Sequence, residues 1–153
     1  MIVYRLSKST YSKDISGRGA ELSGGRWNSK DISILYTSES RALCTTEIAV
    51  HTPLGNVPLD YEICSIEIPD DSIIFDIDLT RLPADWNSIP YSHGTRKIGD
   101  SFINENRFLV MKVPSAVVQG EYNYLINPRH IDFHKIIIQS VEAFNFDERL
   151  FIR

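Results

Sequence analysis

The sequence predicts an α+β domain built on a mixed, mainly antiparallel sheet. Three observations carry this reading. Short alternating or apolar runs recur along the chain, only two stretches have helical character, and no repeat, charge block or low-complexity linker divides the 153 residues. That length fits a single domain spanning residues 1–153, large enough to bury roughly 70% of the surface its unfolded form exposes.

The elements follow in order. Ile2 to Leu6 alternates as a strand, and Tyr11 to Asn28, rich in Ser and Gly, reads as a long loop of the kind that usually serves function. Ile34 to Thr37 is a short strand. Ser38 or Ser40 can then cap a helix running to His51 and ended by Pro53. Strands are expected at Tyr61 to Ile68 and Ser72 to Ile77, an irregular stretch at Leu79 to Tyr91, and a second helix from Thr95 to Asn104. Phe108 to Val113 reads as a strand stopped by Pro114. Lys135 to Gln139, with three consecutive isoleucines, reads as a central strand buried on both faces, and Phe144 to Ile152 as a last strand.

Composition narrows the function classes. A net charge of -4 and a pI near 5.5 argue against a broad polyanion-binding face and so against direct nucleic-acid binding. Only Cys44 and Cys64 are present, no leader pattern opens the chain, and no apolar run approaches the roughly 18 residues a membrane span needs. A soluble cytoplasmic protein with reduced thiols and no membrane association is expected.

Four polar residues stand in distinctive surroundings: Arg26 in Ser23-Gly24-Gly25-Arg26-Trp27-Asn28, Tyr36 in Leu35-Tyr36-Thr37-Ser38, Glu47 on the first helix, and Ser115 after Val113-Pro114. Helical spacing puts Leu43, Thr46, Val50, Ala42 and Ala49 on one face with Glu47 at its edge, so the carboxylate points inward. An inward carboxylate is costly unless paired or used. The structural alternative is a Glu satisfied by Arg41 or Arg81. Arg26, beside two glycines, can grip a phosphate bidentately or, alternatively, stack on Trp27 or pair with a loop acid. Arg5 on the first strand is a second candidate cation. Tyr36 offers an aromatic face or a hydroxyl, against ordinary sheet packing. Ser115 can hydrogen-bond at a pocket wall or simply cap a turn; it lacks the Gly-x-Ser-x-Gly setting of a hydrolase nucleophile. His130 and His134, and Asp76 and Asp78, lack the further ligands of a metal site, so no metal is expected. Gly17-Arg18-Gly19 matches neither the phosphate loop nor the dinucleotide fingerprint.

Taken in order, these stretches resemble the RES-domain toxins of bacterial type II toxin–antitoxin systems, a family named for an Arg, a Glu and a Ser. The resemblance runs from Val3-Tyr4-Arg5-Leu6 through Gly24-Gly25-Arg26-Trp27-Asn28, Tyr36-Thr37-Ser38, the helix of Glu47, Ile98-Gly99-Asp100 and Val113-Pro114-Ser115 to Asn123-Tyr124-Leu125-Ile126-Asn127-Pro128. It implies an ADP-ribosyltransferase-like fold and an enzyme that consumes NAD+ as a substrate, with no separate cofactor, by hydrolysis or phosphorolysis of the nicotinamide–ribose bond. Arg26, Glu47 and Ser115 are then the catalytic three, and Arg5 and Tyr36 bind substrate. A cognate Xre-type helix-turn-helix antitoxin is the implied partner, in a homo-oligomer or a toxin–antitoxin hetero-oligomer. The other readings are a protein ADP-ribosyltransferase and a non-catalytic nucleotide-binding module. The sequence departs from the family pattern at Phe102, where a Trp is usual, and at Cys44-Thr45-Thr46, where Ala or Leu is usual.

Overall fold

The structure is a computed structural model and describes all 153 residues. Seven strands form one sheet in the order β4-β5-β6-β2-β1-β3-β7: β1 (Ile2–Lys8), β2 (Leu35–Ser38), β3 (Tyr61–Glu67), β4 (Ile74–Asp76), β5 (Val110–Pro114), β6 (Tyr122–Ile126) and β7 (Ile137–Phe144). Every neighbouring pair is antiparallel except β4 with β5, so the expected α+β class with a mixed, mainly antiparallel core is what the chain adopts. Three helices accompany it: α1 (Arg18–Ser23), α2 (Arg41–His51) and α3 (His93–Glu105).

Strand alternation divides the core. One face of the sheet gathers Val3, Leu35, Cys64, Ile66, Val110, Tyr124 and Ile126. The opposite face carries two separate clusters, Leu6, Cys44 and Ile63 under α2, and Ile34, Met111, Val113 and Leu125 with Trp27 and with Phe102 and Ile103 of α3. Phe102 is 4% exposed inside the second cluster, so this departure from the family pattern keeps an aromatic in the core.

Helix α2 begins where its cap predicts: the Ser40 side chain accepts the Leu43 N–H at 3.0 Å. Its inward face is rotated from the expected one. Leu43 and Cys44 are buried, whereas Ala42 and Val50 are exposed. Cys44, Glu47, Ile48 and His51 recur at three- and four-residue spacing and form one stripe, which puts Glu47 in the middle of that stripe instead of at its edge.

Four other expectations are corrected. The loop from Tyr11 to Asn28 contains α1, set between Gly17 (φ 76°) and Gly24 (φ 69°) and supported by an Arg18–Glu21 ion pair of 3.1 Å; six residues are too few to leave a periodic signature. Of the isoleucine run, Ile136 is buried just before β7, while Ile137 and Ile138 open that strand, an edge strand with no fully buried residue and Ile137 53% exposed. The strand buried on both faces is β3, where Ile63 to Ile66 are all buried. Phe144 ends β7, and the chain then turns through a 3-10 segment, Glu148–Leu150, because the Asp147 carboxylate accepts the Arg149 N–H at 3.0 Å. Strand β6 lies outside the sequence expectation altogether.

One irregularity in the pairing matters for function. Strand β1 pairs with β3 along all its residues, Ile2↔Glu67 to Lys8↔Tyr61, and β2 pairs with β6 over its whole length. Between β1 and β2 the only paired position is Tyr4↔Ser38. Past that point the two strands part in the middle of the sheet.

Candidate active site

A cleft of about 520 Å³ opens where β1 and β2 separate. Consecutive residues of both strands line it, Tyr4 to Ser7 of β1 and Leu35 to Ser38 of β2, with Ile34 just before β2. Neighbouring residues of a strand point to opposite faces, so a hollow that touches all of them runs through the gap in the sheet. Helix α2 contributes Cys44, Glu47, Ile48 and His51, α1 with its flanking glycine closes another wall, and Asn123 comes from β6. A volume of this size suits a ligand of cofactor dimensions.

Three of the five sequence-selected residues line this cleft: Arg5, Tyr36 and Glu47. Ser115 stands directly behind Glu47, and Arg26 lies outside the lining.

Glu47 has no ion pair. Arg41 is engaged by Glu142 at 3.2 Å and Arg81 by Asp78 at 3.5 Å, which removes the structural alternative for the carboxylate. Glu47 Oε1 instead accepts the Ser115 hydroxyl at 3.0 Å and the Asn123 Nδ2 amide at 2.9 Å. Oε2 has no protein partner and is not sealed from the cleft. Ser115 is itself fixed. Its oxygen accepts the N–H groups of Val117 and Val118, each at 3.0 Å, so its single proton is left for Glu47.

Asn123 was not among the residues the sequence singled out. It faces Ser38 across the β2–β6 ladder, and its Oδ1 accepts the Ser38 hydroxyl at 2.8 Å. The signal was present in the Asn123-Tyr124 stretch, but only the pairing register shows which carboxylate the amide meets.

Tyr36 presents its ring to the cleft and commits its hydroxyl to the Gly25–Asn28 loop. It accepts the Trp27 N–H at 3.0 Å and donates to Asn28 Oδ1 at 2.7 Å. Gly25 is required for that fit, since a Cβ there would sit 2.8 Å from the phenol oxygen. Burial pushes the phenol well above its ordinary pKa, and the Trp27 N–H only partly offsets it. Tyr36 is therefore a neutral aromatic wall.

Arg5 makes all its protein hydrogen bonds through Nη1, to the Ser7 hydroxyl (3.0 Å) and the Tyr11 (3.1 Å) and Ser12 (3.4 Å) carbonyls. Burial lowers its pKa from the ordinary value, yet a guanidinium stays charged. Nε and Nη2 remain available to a ligand. Arg26 donates from Nη1 to the Trp86 and Ser88 carbonyls, both at 2.9 Å, and lies 4.8 Å over the Tyr91 ring. It neither stacks on Trp27 nor pairs with a loop acid. It holds the Leu79 to Tyr91 stretch at the Tyr36 end of the site.

The Ile98-Gly99-Asp100 stretch has a structural role. Gly99 packs under Trp27, where a Cβ would lie 1.5 Å from the carbonyl oxygen, and Asp100 accepts the Ser29 N–H (2.8 Å) and hydroxyl (2.6 Å). Both bind α3 to the loop that carries Arg26. No group of three or more His, Cys, Asp or Glu is placed to hold a metal, and no helix is long and apolar enough to cross a membrane.

Comparison with known proteins agrees with this architecture. The family model of the RES domain matches residues 2–147. The chain is similar to "Toxin Res" of Photorhabdus laumondii, 39% identical over 98% of this chain and 97% of that protein. It is also similar to "Prs ADP-ribosylating toxin" of a Sphingobium species, 35% identical over 90% of this chain and 86% of that one. Among solved structures it superposes on a chain of the M. tuberculosis MbcT–MbcA toxin–antitoxin complex with a TM-score of 0.74 at 18% identity, covering 98% of this chain and 86% of that chain. The match therefore extends from the first strand to the turn after β7, and the chain belongs to the RES domain family.

Proposed function

We propose that this protein is the toxin of a bacterial toxin–antitoxin system and that it depletes cytoplasmic NAD+ by cleaving the nicotinamide–ribose N-glycosidic bond. One observation supports this above the others: a lone carboxylate, unpaired by any cation, is clamped through Oε1 and keeps Oε2 free in a cleft between parted strands.

The chemistry asks little more. When the C1′–N bond breaks, its electron pair goes to the pyridinium nitrogen and nicotinamide leaves neutral, so the second, proton-donating carboxylate of an ordinary glycosidase is unnecessary. The ribose becomes oxocarbenium-like. Glu47 Oε2 bonds the ribose and faces that developing positive charge, an interaction stronger in the transition state than in the bound substrate. At about 4 Å and an effective dielectric near 20 the attraction is on the order of 4 kcal/mol, roughly a thousandfold in rate. Water then adds to C1′ and loses a proton to solvent; inorganic phosphate is the rival acceptor. Arg5 holds the pyrophosphate through Nε and Nη2, with Arg26 as a second cation at the Tyr36 end, while the Tyr36 ring packs against the nicotinamide side. Ser115 acts on the reaction through Glu47. An antitoxin partner accords with the toxin names of the relatives and with the toxin–antitoxin complex that shares the fold.

The test is release of nicotinamide from NAD+ by purified protein, with and without phosphate. Wild type is expected to turn over. Glu47→Gln is expected to bind NAD+ with similar affinity and lose on the order of a thousandfold in kcat. Full turnover by a folded Glu47→Gln protein would remove the carboxylate from the mechanism.

A second reading, ADP-ribosylation of a protein, is favoured by the name of the Sphingobium relative. Against it, Thr45 stands two residues before Glu47, where arginine-specific transferases carry a second Glu, and its hydroxyl is turned back to the Arg41 carbonyl at 2.9 Å. Labelled NAD+ separates the two, since only a transferase leaves label on protein.

A further inference from the structure

We infer that Asn123 selects which oxygen of Glu47 reacts, acting as a positioning residue that keeps the carboxylate in one orientation. The inference rests on the NAD+-cleaving reading of the same site.

A carboxylate on a helix can rotate about its last torsion, and its two oxygens are chemically equivalent until something distinguishes them. Here both protein donors converge on Oε1, the Ser115 hydroxyl at 3.0 Å and Asn123 Nδ2 at 2.9 Å. They arrive from β6 and from the turn after β5, two elements that are themselves fixed, Asn123 by the β2–β6 ladder and Ser115 by the Val117 and Val118 N–H groups. Two donors on one oxygen define the plane of the carboxylate, and Oε2 is left as the reactive atom.

The Asn123 amide cannot serve in the flipped sense. A carboxylate only accepts, so Glu47 requires Nδ2 toward it, and the Ser38 hydroxyl, which can donate or accept, completes the arrangement by donating to Oδ1 at 2.8 Å. Ser38, Asn123 and Ser115 thus form a hydrogen-bond network whose donors converge on Glu47, reaching from β2 to the turn after β5. Asparagine meets the requirement because it carries a donor and an acceptor on one short stem. Aspartate has the same shape and the wrong charge. It would place a second anion against Oε1, and a like charge disfavours ionisation of Glu47.

The experiment compares wild type, Asn123→Ala and Asn123→Asp by steady-state nicotinamide release across pH, with thermal melts to establish folding. Asn123→Ala is expected to lose ~10- to ~100-fold in kcat, the range for one hydrogen bond to a charged group, with KM changed by less than about threefold. Asn123→Asp is expected to move the acid limb of the kcat profile to higher pH and to recover activity as pH rises, a behaviour that general loosening of β6 does not produce. Ser38→Ala, which removes only the outer link, is expected to fall between wild type and Asn123→Ala. An active wild type with Asn123→Ala at full kcat, or Asn123→Asp with an unmoved acid limb, overturns the inference. A wild type that releases no nicotinamide overturns the underlying reading instead.

Discussion

Ser115 and Glu47, 68 residues apart in sequence, meet through a 3.0 Å bond in which the serine hydroxyl donates and the carboxylate accepts. The serine oxygen has no freedom to turn elsewhere, because two backbone N–H groups occupy its lone pairs. Ser115→Ala therefore removes the donor from Glu47 and also strands the Val117 and Val118 N–H groups. The expected loss is about 1.5–3 kcal/mol of transition-state stabilisation, seen as a fall in kcat with KM nearly constant. An equal rise in KM with kcat unchanged would instead place Ser115 in contact with substrate.

The two arginines should separate by kinetic signature. Arg5→Ala removes the guanidinium that lines the cleft and is expected to raise KM on the order of 10- to 100-fold, with Arg5→Lys recovering part of the loss, since lysine restores charge without the planar fork. Arg26→Ala releases the Trp86 and Ser88 carbonyls as well, so binding and cleavage are expected to weaken together and the Leu79 to Tyr91 stretch to gain hydrogen–deuterium exchange. An exchange map identical to wild type would separate Arg26 from that stretch.

The physical basis of each element decides how much of this was legible in the sequence. Helix α2 was readable because its cap, Ser40, and its terminator, Pro53, are local signals. Strand β7 was misplaced because three isoleucines register only hydrophobicity, whereas an edge position depends on which strands pair. Glu47 could be found from its helix and Ser115 from its strand-end motif, but the bond between them depends on tertiary register. The cleft was invisible for the same reason: β1 and β2 each read as ordinary strands, and their separation after Tyr4↔Ser38 is a property of the pair. Arg26 illustrates the limit of motif reasoning, since a glycine-flanked arginine offers the same local sequence whether it faces a phosphate or two carbonyls.

Cys44 lies three residues before Glu47, with its thiol donating to the Tyr4 carbonyl at 3.1 Å. Burial pushes its pKa up to about 11. The neutral thiol is thus favoured by folding, and the sign follows: this stabilisation is complete below the ordinary thiol pKa of about 9 and is lost as pH rises toward 11. Two units correspond to about 3 kcal/mol at most. Denaturant titrations of wild type are expected to show stability falling through that window, and Cys44→Ala to show a shallower fall. Iodoacetamide at pH 8 is expected to leave Cys44 unmodified in the folded protein and to label it in denaturant.

Gly99 sets how closely α3 can approach the arginine loop. A methyl group there would stand 1.5 Å from the Trp27 carbonyl oxygen, a backbone atom that cannot swing aside, so Gly99→Ala forces α3 and the Gly25–Asn28 loop apart. Trp27 is 2% exposed and shares a cluster with Phe102 and Ile103, so the displacement opens that core as well. The expected cost is about 3 kcal/mol or more, a melting temperature lower by roughly 6–12 °C in a domain of this size. Activity should fall further than stability alone explains, because the Trp27 N–H that moves with the loop is the one bonded to the Tyr36 hydroxyl. Gly19→Ala is the matched control. It lies inside α1 with nothing within 4 Å of the added methyl, and at that position alanine is expected to stabilise by about 0.5–1 kcal/mol. Equal melting temperatures for the two variants would show that the close approach of α3 to Trp27 is not what holds this end of the site together.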